Sequence, residues 1–272
     1  MPTARMAVTL SSVEAGILRR VHPYLDAPTP LAFAHRGGAA DGDENTAEAF
    51  GRAIALGYRY VETDVHGTRD GVAVVFHDSD LRRVTGQPGQ IRNMTIKDLE
   101  AVRVNGSAAV PRLDDVLAAW PQVRFNIDVK AAPGIAPTVQ AVKDAKAADR
   151  VLLASFSDSR LARIRALAGP EIATSLGMRG VTRLWLASRR NSKIRMHPSV
   201  VAAQVPPRYG RLTVVDRRFV AYTQKLGLQV HVWTIDEPEP MHHLLDLGVD
   251  GIMTDRVDVL RDVYIARGLW PA

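Results

Sequence analysis

Short apolar runs alternate with helically spaced segments along most of this chain. The runs are Leu31 to Ala34, Arg59 to Val65, Val123 to Val129, Val151 to Ser155, Ile172 to Leu176, Val200 to Val205, Leu228 to Thr234 and Val249 to Met253. Each is followed by a segment expected to be helical, such as Ala49, Phe50, Ala53 and Ile54, or Leu113, Val116 and Leu117, or about Thr182 to Ser188. Such alternation argues for a parallel sheet covered by helices. Eight units favour closure into a (β/α)8 TIM barrel, for which about 250 residues suffice. The chain has 272 residues. It is therefore expected to be a single TIM-barrel domain over residues 1–272. Residues 1–30 form an N-terminal extension, and about 79–111 form a short insertion after the second barrel strand region.

The regularity is broken in two places. Ser11 or Ser12 can cap a helix reaching Val21, before Pro23, Pro28 and Pro30 interrupt the chain. This helix is expected to plug the bottom of the barrel. The alternative is an interfacial anchor, because Arg19 and Arg20 follow its apolar face. The second break runs from Ser79 to Pro111, where periodicity is weak. It follows a turn at Thr68 to Gly71 and a returning strand at Val72 to Phe76. A short helix is expected there at Thr95 to Val102.

The richest stretch is Leu31 to Asp78. Side chains on a strand alternate faces, so Glu62 and Asp64 share one side. Two carboxylates that close repel unless a cation lies between them. Oxygen donors alone suit a hard ion, Mg²⁺ or Ca²⁺. His35 and His77 each stand where an apolar run stops. Two imidazoles flanking a carboxylate-bound cation suit acid–base chemistry on a phosphate ester. Singly, each feature has a plainer reading as a solvated strand or a turn; their ordered combination carries the argument.

This combination resembles the glycerophosphodiester phosphodiesterases. The motifs are His35-Arg36-Gly37, Glu44-Asn45-Thr46, Glu62-Thr63-Asp64, Thr68-Arg69-Asp70-Gly71 and His77-Asp78. A weaker likeness continues to Gly248-Val249-Asp250-Gly251-Ile252-Met253-Thr254-Asp255. The resemblance implies metal-dependent hydrolysis of glycerophosphodiesters to an alcohol and glycerol 3-phosphate, with one divalent cation, Mg²⁺ or Ca²⁺. It assigns His35 and His77 to catalysis, Arg36 and Lys130 to the substrate phosphate, and Glu62, Asp64 and Asp128 to the metal. Asp128 stands where the family has glutamate, one methylene longer, so the ion must lie closer to that strand or bind through water. Glu44 and Trp233 fall to the substrate pocket, Glu44 orienting Arg36 or binding substrate hydroxyls. The insertion is implied to cover the site; Arg82 and Arg83 within it read as solvated, the alternative being that they meet a phosphate there.

The alternative substrate is a lysophospholipid or phospholipid headgroup cleaved at a membrane. A non-enzymatic barrel is weighed against by the intact set of site residues. The formal charge of +6 favours anionic substrates, or weak peripheral contact with an anionic membrane. Arg189, Arg190, Lys193 and Arg195 read as a solvated loop, or as a patch for acidic headgroups. Neither a nucleic-acid partner nor a membrane span is expected, since no run approaches ~18 apolar residues. Without cysteine, disulfides and thiolate metal sites are excluded. Cytoplasmic localisation is the expectation; oligomeric state is left open.

Overall fold

The computed structural model describes residues 22–270; the helix expected between Ser11 and Val21 lies outside them. Eight parallel strands close a barrel: β1 (Leu31–Ala34), β2 (Tyr60–Gly67), β4 (Arg124–Val129), β5 (Val151–Ala154), β6 (Ala173–Ser175), β7 (Val200–Val205), β8 (Gln229–Val232) and β9 (Gly251–Thr254). Between β2 and β4, the short β3 (Ala73–Val75) runs back antiparallel beside the end of β2. Closure is direct: β1 pairs with β9 on one side and with β2 on the other. The covering helices are α1 (Ala47–Ala55), α2 (Leu113–Ala119), α3 (Ile135–Asp144), α4 (Asp158–Ala168), α5 (Met178–Arg190), α6 (Arg217–Lys225), α7 (Pro238–Leu247) and α8 (Val257–Ala266).

Period-two alternation divides the apolar residues between two cores. Val61 and Val65 of β2, and Phe125, Ile127 and Val129 of β4, pack outward against the helices. Leu31, Phe33, Tyr60, Leu152 and Met253 fill the barrel interior. The interior is sealed at the strand N-terminal end by a short 3-10 turn, Pro23–Leu25, whose Tyr24 and Leu25 are buried. Tyr60 Oη donates to the Tyr24 carbonyl at 2.7 Å. Residues 23–25 thus close this end of the barrel; the plugging helix expected before Val21 lies outside the described residues.

Interior space is tight. A Cβ on Gly251 would lie 2.8 Å from the Phe33 ring and 3.0 Å from His231. His231 is fully buried, with Nε2 2.9 Å from Gln229 Oε1. Burial pushes its imidazole down to about 3.

The insertion builds a third core of its own, from Val74, Phe76, Leu81, Ile91, Leu99 and Val104 among others. The helix expected at Thr95 to Val102 is shorter, Ile96–Leu99. Thr95 and Asp98 form a reciprocal capping box that starts it. It stops because Arg103–Val104 pairs with Ala108–Ala109 across a turn with Asn105 and Gly106 at positive φ. α5 differs the other way. It is longer than the Thr182 to Ser188 segment read from the sequence, because the distant Asp158 carboxylate accepts from Arg179 N (2.9 Å) and Gly180 N (3.3 Å) at its start. Arg189 and Arg190 close this helix. Arg189 bonds to Asp216 at 2.8 Å and stacks on Trp185, so it is no solvated loop residue.

Candidate active site

Strand register sets the acidic cluster. Asp64 of β2 lies directly beside Asp128 of β4, and Glu62 beside Asn126. Tyr60, Glu62, Asp64 and His66 share the inward face of β2 by alternation, as do Asn126 and Asp128 on β4. The inward side chains change from apolar to acidic towards the strand C-terminal ends. All three predicted metal carboxylates, Glu62, Asp64 and Asp128, are buried.

The turn after β1 delivers the cationic and imidazole groups. Arg36, Gly37 and Gly38 all have positive φ. Gly37 is needed for space as well, since a Cβ there would lie 2.6 Å from the Phe50 ring. Arg36 at φ 52 turns its own N–H onto Glu62 Oε2 at 3.1 Å. Its guanidinium meets Glu44 Oε1 at 3.0 Å and lies 3.2 Å from Asp64 Oδ2. His35 Nδ1 donates to Asp255 Oδ1 at 2.7 Å, while Nε2 faces Glu62 Oε2 at 3.7 Å. His77 is held in the same way: Nδ1 donates to Asp78 Oδ1 at 2.6 Å. In each imidazole, Nε2 is the nitrogen not taken by an aspartate.

Lys130, one residue beyond β4, spans two carboxylates. Its Nζ lies 2.7 Å from Asp64 Oδ1 and 2.8 Å from Asp128 Oδ2. The gathered carboxylates do not form a finished metal cage: among the described residues, no group of three His, Cys, Asp or Glu is set to hold an ion. Asp128 Oδ1 is nonetheless buried without a hydrogen-bond partner.

The electrostatics follow from burial and unequal access to cations. Burial and neighbouring Asp64 push the Glu62 carboxyl up to about 7. Burial acts upward on Asp64 too, but Lys130 and Arg36 overcome it and hold Asp64 below the usual range. Burial acts downward on His35, yet Glu62 and Asp255 raise it above an ordinary histidine. Glu44 is held low by Arg83 and Arg36 against the upward effect of burial.

Several supporting residues escaped the sequence reading. Asn45 Nδ2 donates to Asp64 Oδ2 at 2.9 Å, and its Oδ1 accepts from Thr63 Oγ1 (2.7 Å) and Asp64 N (3.2 Å). Asp255, at the end of β9, fixes His35. Arg83 of the insertion joins Glu44 (2.6 and 2.9 Å) to Asp78 (2.6 Å), so it is a tied residue rather than a solvated one. The available signals were the middle residue of Glu44-Asn45-Thr46 and the Thr254-Asp255 ending. Nothing local marked Arg83. Trp233 meets Phe156 edge-on at 5.4 Å, and Lys130 Nζ lies 5.8 Å from the Phe156 ring centre. A cavity of about 390 Å³ between α1 and the insertion shares no residue with this cluster.

The glycerophosphoryl diester phosphodiesterase family model matches residues 35–259, from the first site histidine to α8. A Mycobacterium tuberculosis protein named "Probable glycerophosphodiester phosphodiesterase 2" is 42% identical over 245 residues, 88% of this chain and 92% of that protein. The chain belongs to the glycerophosphoryl diester phosphodiesterase family. Two solved structures share its fold. A glycerophosphodiester phosphodiesterase from Agrobacterium tumefaciens has a TM-score of 0.71 at 23% identity, covering 86% of this chain and 99% of its own. An Oleispira antarctica phosphodiesterase, in complex with the product sn-glycerol-3-phosphate, has a TM-score of 0.73 at 23% identity, covering 87% and 97%. The phosphodiesterase barrel therefore accounts for nearly all the described residues. Among them, no helix is long and apolar enough to cross a membrane.

Proposed function

We propose that this chain hydrolyses glycerophosphodiesters to an alcohol and glycerol 3-phosphate, with His35 and His77 as the acid–base pair. The reading rests on the convergence of three buried carboxylates, two aspartate-held imidazoles, Arg36 and Lys130 at one end of a barrel of this family. One imidazole Nε2 takes the proton of the attacking group. The other gives a proton to the leaving alcohol. Asp255 and Asp78 keep each proton on Nδ1, so both Nε2 atoms are free for these transfers. Arg36 neutralises phosphate charge, and Glu44 holds its guanidinium in place. The attacking group is water or the neighbouring glycerol hydroxyl.

Glu62, Asp64 and Asp128 fit a divalent cation, Mg²⁺ or Ca²⁺. All are oxygen donors, Asp128 Oδ1 is buried and unpartnered, and Glu62 is poorly tolerated as an anion without added positive charge. When bound, such an ion polarises a phosphoryl oxygen. Lys130, whose Nζ lies on Asp64 and Asp128, would bring a further positive charge to the substrate phosphate. A panel of glycerophosphodiesters followed by phosphorus NMR, with and without added divalent ions, tests the proposal. Release of glycerol 3-phosphate, abolished by a chelator, is expected; a cyclic phosphate intermediate would identify the glycerol hydroxyl as nucleophile. No turnover of any panel member with either ion would refute the proposal.

A second reading, cleavage of lysophospholipids at a membrane, is favoured by one observation. Phe156 is 47% exposed and packs on Trp233 beside Lys130, offering apolar contact next to the phosphate groups.

A further inference from the structure

Charge is distributed unevenly over this molecule. Residues 156–213 contain eleven lysines and arginines against only Asp158 and Glu171, a net +9. The rest of the chain holds 24 basic and 27 acidic residues, a net −3. Within the segment, among the described residues, only Arg189 makes an ion pair. Arg179, Arg183, Arg195, Arg208 and Arg211 are exposed and have none. Arg165, Arg179, Arg183 and Arg195 also line a cavity of about 280 Å³ between α4 and α5.

Exposed apolar groups concentrate in the same segment. Among the described residues seven large hydrophobic side chains are exposed, and six lie here: Phe156, Leu167, Met178, Leu186, Tyr209 and Leu212. Four of them follow strand C-terminal ends, the end that carries the site. Phe156 follows β5, Met178 starts α5 after β6, and Tyr209 and Leu212 pair across the tip of a hairpin after β7. The hairpin is a fixed feature: Trp185 Nε1 of α5 donates to the Thr213 carbonyl at 3.2 Å. Arg208 and Arg211 sit beside the two tip residues.

Apolar tips ringed by unpaired arginines gain nothing from bulk water. At a bilayer interface the tips enter the headgroup boundary while guanidinium groups meet lipid phosphates. A polyanion or a soluble phosphate would use the arginines but leave Tyr209, Leu212 and Met178 exposed. We infer that the rim formed by residues 156–213 docks on an anionic lipid surface, with the Arg208–Thr213 hairpin as its leading tip. The hairpin residues Arg208, Tyr209, Arg211 and Leu212 are none of the proposed catalytic groups, and the existence of this face does not depend on the reaction assigned to the site.

The test is co-sedimentation with phosphatidylcholine vesicles, with and without phosphatidylglycerol. Wild-type protein is expected to bind only the anionic vesicles and to release at high salt. The pairs Tyr209→Ser with Leu212→Ser, and Arg208→Glu with Arg211→Glu, should each weaken binding at least ~10-fold. Both should keep the wild-type melting temperature and the wild-type rate on soluble glycerophosphocholine. Absence of binding to anionic vesicles at low salt, or equal binding by both variants and wild type, would overturn the inference. So would release by a low concentration of inorganic phosphate at constant ionic strength, which would assign the arginines to a soluble anion. Loss of all turnover with vesicle binding intact would count against the phosphodiesterase reading alone.

Discussion

One amide at Asn45 serves three groups: it donates to the Asp64 carboxylate and accepts from the Thr63 hydroxyl and the Asp64 N–H. Replacing it by alanine strands buried polar atoms, each at about 1–3 kcal/mol. Asn45→Ala is expected to lower stability in urea unfolding by that amount, and to weaken cation binding because Asp64 loses its anchor. His35→Ala and His77→Ala should each cut turnover by roughly 10²- to 10⁴-fold while leaving calorimetric cation affinity near wild type. Asp255→Ala acts through His35, so a smaller loss is expected, ~10- to 100-fold in kcat with KM little changed. At this scale the sequence was informative where chemistry is local. Strand alternation put Glu62 and Asp64 on one face, and motif order marked both histidines. Asp255 bonds to a residue 220 positions away, and no local pattern encodes that partnership.

Arg83 ties the insertion to the candidate site. Arg83 links Glu44, which holds Arg36, to Asp78, which holds His77. The Arg83 side chain is 47% exposed, so its ion pairs contribute on the order of 0–1 kcal/mol to stability. Arg83→Ala is therefore expected to melt within a few degrees of wild type yet show raised KM and lowered kcat in steady-state kinetics. Equal kinetics in both proteins would reduce Arg83 to a surface residue. Element positions were legible where apolar runs are flanked by breakers: Leu31 to Ala34 and Val200 to Val205 match β1 and β7 residue for residue. α5 was not, because the carboxylate that meets its first N–H groups comes from Asp158 on another helix. The insertion was visible only as lost periodicity, since its short elements pack around a small core of their own.

For the whole molecule, barrel closure followed from counting units, but the register that sets Asp64 beside Asp128 did not. That register makes the departure from glutamate at Asp128 tolerable, because adjacent strands already bring its carboxylate to the cluster. Closure also buries His231 in the barrel interior. Its folded value of about 3 lies below the ~6.5 of an unfolded histidine. Between these values only the unfolded chain takes up the proton, so this contribution is lost as pH falls below ~6.5, by about 2 kcal/mol at pH 5. His231→Gln should flatten the acid limb of the melting temperature against pH; an unchanged slope would exclude His231 as its cause. The central claim is that carboxylates of β2 and β4 hold a divalent cation that hydrolysis requires. Calorimetric titration of Mg²⁺ and Ca²⁺ into wild type and Glu62→Gln, with turnover measured on the same samples, tests it most directly. The account predicts one ion per wild-type chain, with binding and turnover lost together in Glu62→Gln; equal affinity and equal turnover in the two proteins would contradict it.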